Sequence, residues 1–230
     1  HQSVLGPTLE AIARDKAAAV RPGVPLVTGV SGVALEVVRE TCAARGSPLY
    51  LDDDDDPLFA LPDGVPLPHP ARAANARLAA AALRLLGASE DALRAAVLSP
   101  PLPARREAFS VAGRRVILDG AHNPAALEAL VGSLEPGFTL LYGALPHKQG
   151  EAGLAVLEPH AAAVFLTDAG GEASGLPTHE HSYEPDPSTA LRSALAATPA
   201  GGTLLVTGSF YLAGELRAVL RAAVSRETSP

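Results

Sequence analysis

Beyond the Pro-rich break Ser99-Pro100-Pro101-Leu102-Pro103, short apolar runs alternate with helix-like segments, and this alternation restricts the chain more than any other feature. Strand-like runs fall at residues 108–111, 115–118, 138–142, 163–167 and 203–207. Helix-like segments at 125–134, 150–157, 187–197 and 210–225 lie between or after most of them. Strands alternating with helices predict a mostly parallel sheet covered on both faces, with ligands received at the carboxyl ends of its strands.

Ahead of the break the pattern is also α/β. Residues 8–20 place Leu9, Ile12 and Ala13 on one helical face, with Thr8 as N-cap and Arg21-Pro22-Gly23 as the stop. Short apolar runs at 24–30 and 48–51 flank a helix over 33–44. Asp52 to Asp56 precede a Pro-rich stretch, Pro57 to Pro70, in which no regular element is expected. Helices resume over 73–86, closed by Gly87, and from a Ser89 cap to about Leu98. The domain boundary is expected near Leu102, dividing the chain into 1–101 and 102–230.

Composition excludes several classes. With 47% hydrophobic and 19% charged residues, the 230-residue chain has material for a sizeable core, built from Ala, Val and Leu because only 4% is aromatic. A net charge of −7 and the lack of any basic stripe argue against a nucleic-acid surface. No apolar run reaches the roughly 18 residues of a membrane span. The single Cys42 fits a reducing cytoplasm and is read as a helix-face core residue. The chain has no Met, so a start upstream of His1 is expected. Of its 18 basic residues only Lys16 and Lys148 are lysines.

The segment with most chemical content is Val116 to Pro124, VILDGAHNP. An apolar strand ends in Asp119-Gly120, Gly120 permits a tight turn, Asn123 caps a helix and Pro124 suits its first turn. A carboxylate and an imidazole thus leave a strand's carboxyl end beside a helix N-terminus, whose free N–H groups favour an anion. An ordinary capped βα turn fits the same residues.

The string Asp119-Gly120-Ala121-His122-Asn123-Pro124 resembles the D-x-A-H-N-P motif of the folylpolyglutamate synthase and dihydrofolate synthase family, the folate branch of the Mur-type ligases. His1, Leu5-Gly6, Thr8 to Ala13 and Asp15-Lys16-Ala17 are similar to that family's D-H-x-x-x-L-G-x-T-x-x-x-I-A-x-E-K-A-G-I segment. Pro103 to Glu107 resembles its P-[GA]-R-x-E, and Gly208 to Leu212 its G-S-x-Y-L. The resemblance runs from His1 to about Arg217. It implies the C-terminal part of a P-loop ATPase domain of the Mur-ligase type, a hinge at Ser99–Pro103, and a Rossmann-like α/β ligase domain.

The activity implied is an ADP-forming ligation of L-glutamate to a folate or dihydropteroate carboxylate through an acyl phosphate, with ATP and Mg²⁺, in folate biosynthesis and polyglutamylation. By the same resemblance His1 is a metal ligand and Lys16 the lysine that is carbamylated to reach the metal. Carbamylation needs a neutral amine, which Arg cannot supply. Asn75 matches an adenine-contacting Asn. Arg105 matches the arginine that reaches the ATP phosphates, with Arg106 the alternative. Asp119 and His122 match residues holding the ribose and nearby phosphate, so that nucleotide sits between the domains. A cytoplasmic monomer acting on small molecules, without nucleic-acid or membrane partners, is implied.

Departures from the family pattern are also legible. No G-x-x-x-x-G-K-[ST] occurs in the chain, so the phosphate-cradling loop is expected upstream of His1 and this stretch alone is expected to turn nothing over. Arg72 stands where the family has the Gln of an H-Q-x-x-N string. Lys148 is kept in a loop that usually reads D-K-D, without either acid. A cell-wall peptide ligase and a non-catalytic nucleotide-binding module are the competing readings; a dinucleotide-dependent oxidoreductase is disfavoured because no G-x-G-x-x-G follows a strand. The Asp52–Asp56 run and His179-x-His181 are read as exposed loops, not cation sites.

Overall fold

The computed structural model describes residues 5–6, 8–65, 70–99, 102–146, 149–173, 175–176 and 181–227. Its contacts divide the chain into two compact units, His1–Ser99 and Pro100–Pro230.

In the first unit, helix α1 (Leu9–Ala17) starts on Thr8, whose hydroxyl accepts the Ala11 N–H at 3.1 Å. It ends three residues short of the expected Val20, because the chain already closes into turn bonds at Ala18 to Val20. Strands β1 (Leu26–Thr28) and β2 (Leu49–Leu51) pair in parallel around helix α2 (Gly32–Arg45). Ala13, Ala17, Val20, Val37, Val38 and Cys42 form the core between α1 and α2. Cys42 is thus the buried helix residue it was read to be.

The Pro-rich stretch is more regular than its composition suggests. Pro57–Phe59 is a 3₁₀ turn capped by Asp56, and helix α3 (Pro70–Leu85) begins at the last of those prolines, where a missing N–H costs nothing. The acidic run is also only partly free. Arg77 of α3 pairs with Asp52 at 2.8 Å and Asp54 at 2.9 Å. Helix α4 (Glu90–Leu98) closes the unit, with the Ser89 hydroxyl accepting the Ala92 N–H. Arg84 braces it, binding Glu90 and the carbonyls of Pro57, Leu58 and Ala60.

The second unit is a six-stranded sheet in the order β3-β4-β8-β5-β6-β7, comprising β3 (Glu107–Val111), β4 (Arg114–Leu118), β5 (Phe138–Tyr142), β6 (Ala161–Leu166), β7 (Ser182–Tyr183) and β8 (Thr203–Thr207). Only the edge pair β3 and β4 is antiparallel. The mostly parallel α/β sheet expected from the alternation is the fold observed. The short strand β7 was not legible: two exposed residues carry no apolar pattern.

Helices α5 (Pro124–Val131) and α6 (Gly150–Leu157) cover one face, and α7 (Pro187–Ala197) and α8 (Phe210–Glu227) the other. Alternate strand residues divide accordingly: Val116, Leu118, Leu204 and Val206 join the α7–α8 core, while Ile117, Leu140, Tyr142 and Leu205 join the α5–α6 core. Burial pushes the Tyr142 phenol up to about 12, so it stays a neutral donor, bonded to the Gly150 carbonyl at 3.0 Å. No helix among the described residues is long and apolar enough to cross a membrane.

Candidate active site

Strands β4 and β5 both hand the chain to helices on one face, α5 and α6. Strand β8, lying between them, hands it to α8 on the other. Connections that diverge in this way leave a crevice at the strand carboxyl ends. A cleft of about 150 Å³ occupies it, lined by His122 after β4, Leu145 after β5, and Gly208, Ser209, Phe210 and Tyr211 after β8. That is below the roughly 300–1,000 Å³ of a whole ligand site, so the cleft takes one part of a ligand. A larger hollow of about 390 Å³ in the first unit is open and lined by residues 60–63, Arg84, Glu90, Asp91 and Arg94. Arg84 there is already bound to Glu90 and to three carbonyls, so its guanidinium is taken up by the fold.

The loop entering β3 delivers Arg105 to the ring of Phe210, a residue of the cleft wall. Its neighbours Ala104 (φ 55°) and Arg106 (φ 52°) both adopt left-handed backbone. Each such residue costs about 1–2 kcal/mol, so the loop needs external restraint. It has three: the Ala104 N–H donates to Glu107 at 3.1 Å, the Gly120 N–H to the Ala104 carbonyl at 2.9 Å, and the Arg106 N–H to Asp119 Oδ2 at 2.8 Å. Asp119 accepts the Ala121 N–H on its other oxygen at 2.8 Å and is buried. In this structure the Asp119 carboxylate therefore joins the Arg105 loop to the turn after β4.

The two arginines point to different surroundings. Arg106 places its guanidinium against Ser133, where burial lowers its pKa. Arg105 stays exposed, with its guanidinium carbon 4.6 Å from the centroid of the Phe210 ring. The same ring meets His122 edge-on, with centroids 5.7 Å apart. His122 Nδ1 lies 3.0 Å from the Gly120 carbonyl, which only accepts, so Nδ1 carries the proton and neutral His122 has its lone pair on Nε2. Asn123 caps α5 as expected, its side chain accepting the Ala126 N–H at 2.9 Å.

Glu107 and Arg217 complete the frame. Arg217 Nε on α8 donates to Glu107 Oε2 at 2.7 Å, and this bond, with the Ala104 N–H, holds the Glu107 carboxyl below its ordinary value of 4.5. A folded pKa below the unfolded one contributes stability that is complete above about 4.5 and fades as pH falls through the folded value. Glu107→Gln is therefore expected to destabilise the protein by about 1–2 kcal/mol at pH 7. In urea titrations at successive pH values, that difference should shrink on acidification below the unfolded pKa.

Residues 104–210 match the family described as Mur ligase, glutamate ligase domain. A dihydrofolate synthase/folylpolyglutamate synthase of Escherichia coli is 30% identical over 96% of the chain and 58% of its own length. The E. coli FolC structure in complex with DHPP and ADP superposes with a TM-score of 0.81 at 28% identity, over 96% of this chain and 59% of that one. The chain is similar to folylpolyglutamate synthases along 96% of its length. A Yersinia pestis bifunctional folylpolyglutamate synthase/dihydrofolate synthase, solved with AMPPNP and Mn ion, gives a TM-score of 0.73 at 25% identity, over 94% of this chain and 58% of that one. The chain spans about 60% of the length of the folylpolyglutamate synthases of Lacticaseibacillus casei, Bacillus subtilis and Escherichia coli that it matches.

The structure gathers Arg105, Asp119 and His122 at one end of the ligase-domain sheet. Lys16 lies on α1 with its amine 3.1 Å from Asp15, and its side chain is 65% exposed. Asn75 is exposed on α3. Arg72 of the same helix bonds the carbonyls of Val97 and Ser99 at the end of α4. His1, Lys148 and His179 lie outside the described residues; His181 pairs with Glu158 at 3.2 Å. Among the described residues no group of three His, Cys, Asp or Glu could hold a metal. Phe210 was missed as a site residue. Its signal was the Gly208 to Leu212 string, whose resemblance to G-S-x-Y-L leaves the position of Phe210 unspecified.

Proposed function

We propose that this chain forms part of an ADP-forming ligase that joins L-glutamate to a folate or dihydropteroate carboxylate. The observation that carries the reading is the cleft between the diverging ends of β4 and β8, whose wall residue Phe210 is met by an exposed guanidinium, Arg105, and by the oriented imidazole of His122, in a stretch that matches a glutamate ligase domain. Relatives named for both synthase activities, and solved with DHPP, ADP or AMPPNP and Mn ion, support it.

In the reaction, the carboxylate oxygen attacks the γ-phosphorus of ATP, the bond to ADP breaks, and an acyl phosphate forms. The glutamate amine then adds to the acyl carbon, loses a proton, and expels phosphate as the amide forms. Both steps concentrate negative charge, so positioned cations and N–H donors do most of the work. Arg105 would hold ATP phosphate oxygens, a task matched to a planar multi-donor cation. His122, its Nδ1 proton held on Gly120, would present Nε2 to the ribose or a phosphate; Asp119 would hold the ribose while keeping the Arg105 loop in place. Asn75 would contact adenine. Mg²⁺, when bound, would screen the phosphates, with His1 and carbamylated Lys16 as its proposed ligands. Residues 1–230 alone, without a phosphate-cradling loop among them, would not turn over.

The test uses the longest natural reading frame that contains these residues, assayed for ADP release dependent on glutamate and on dihydropteroate or folate. Arg105→Ala should raise the KM for ATP by about ten- to a hundredfold. Ligation only with nucleotide-linked muramyl substrates would move the protein to the cell-wall branch, and nucleotide binding without ligation would make it a binding module.

A further inference from the structure

Phe210 occupies an unusual place. It opens α8, the residue is 40% exposed at the cleft, and its ring lies 4.6 Å from the Arg105 guanidinium carbon and 5.7 Å, edge-on, from the His122 ring. The ring lies directly on Gly120: a Cβ there would sit 2.2 Å from its Cδ1 and Cε1 atoms. Position 120 must therefore lack a side chain for Phe210 to reach both partners. Helix α8 is in turn tied to the Arg105 loop by the Arg217 to Glu107 bond at 2.7 Å, and Glu107 restrains Ala104. Backbone and ring are thus referenced to one frame.

How Arg105 is held also bears on its task. Arg106 next to it is spent on Ser133, and Arg217 on Glu107. Arg105 forms no ion pair among the described residues, and its guanidinium rests on the face of Phe210. A carboxylate partner would orient a guanidinium but neutralise it and occupy its N–H groups. An aromatic face orients it while leaving its charge and in-plane donors for an anion.

Resting on the reading of Arg105 given above, we propose that Phe210 is the positioning residue for Arg105: its ring, seated on Gly120, holds an unneutralised guanidinium ready for the phosphate of a nucleotide. Phe210 touches no reacting atom in this role and acts through Arg105.

The experiment replaces Phe210 by phenylalanines carrying one, two and three ring fluorines, which drain the ring face of negative potential while keeping its shape, alongside Phe210→Leu, Arg105→Ala and the double variant. In the full reading frame, the KM for ATP should rise with each fluorine and reach about three- to tenfold in Phe210→Leu, with kcat little changed. With Arg105 already Ala, the substitution at 210 should add nothing. In residues 1–230, the ring-current displacement of the Arg105 side-chain protons in NMR spectra should disappear in Phe210→Leu and persist in the fluorinated proteins. A KM unaffected by fluorination, or additive effects of the two substitutions, would overturn the positioning role while leaving the ligase reading intact. An Arg105→Ala protein with unchanged KM for ATP would overturn both, and the NMR arm would show whether the contact itself exists.

Discussion

Gly208→Ala is expected to cost the second unit about 3 kcal/mol or more, enough to threaten its folding. Two independent effects add at this position. The backbone has φ +110°, which residues with a side chain rarely adopt, and a Cβ would stand 2.6 Å from the Gly143 carbonyl oxygen and 2.7 Å from the Tyr142 ring. Neither obstacle can move cheaply, because Gly143 continues β5, whose last residue Tyr142 is buried and pairs with Thr207 of β8. Gly201→Ala is the control: its φ of +73° imposes a strain of about 1–2 kcal/mol, but nothing lies within 4 Å of the added atom. Native-state hydrogen exchange of the β5 and β8 amides reads both. Equal losses in the two proteins would show that the close approach at Gly208 contributes nothing.

Lys16→Arg is expected to abolish glutamate ligation in the full reading frame, although it keeps the positive charge and the reach of the side chain. The physical reason is acid–base: a guanidinium does not deprotonate in proteins and cannot add CO₂, whereas an amine can. Its exposed position on α1 makes the substitution gentle for folding, since the side chain is 65% exposed and its ion pair is with the adjacent Asp15. Loss of activity with an unchanged melting temperature, together with a carbamate carbon signal after incubation of the Lys16 protein with ¹³C-bicarbonate, is the expected pair of results. Ligation retained by Lys16→Arg would remove the carbamate from the mechanism.

Particular elements show how far local chemistry carries. Strands 138–142 and 203–207 and helices 150–157 and 187–197 are observed with the boundaries read from the sequence, because each is a continuous apolar or amphipathic run ended by Gly, Pro or a capping Asp. The capped turn after β4 was legible for the same reason: Asn123 and Pro124 act within their own helix turn. Helix α3 shows the opposite case, since proline content pointed to an irregular stretch up to a residue that is the helix's own first turn.

What the sequence by itself determined was the α/β layering, the caps, and the strand-to-helix turn carrying Asp119 and His122, since all of these depend on neighbours a few residues away. Only the tertiary structure decided which arginine meets Phe210 at the cleft wall and which is spent on Ser133. Arg105 and Phe210 are 105 positions apart, and so nearly are Glu107 and Arg217. Their meeting depends on β8 inserting beside β4 in the sheet, a pairing of distant segments that carries no local signature.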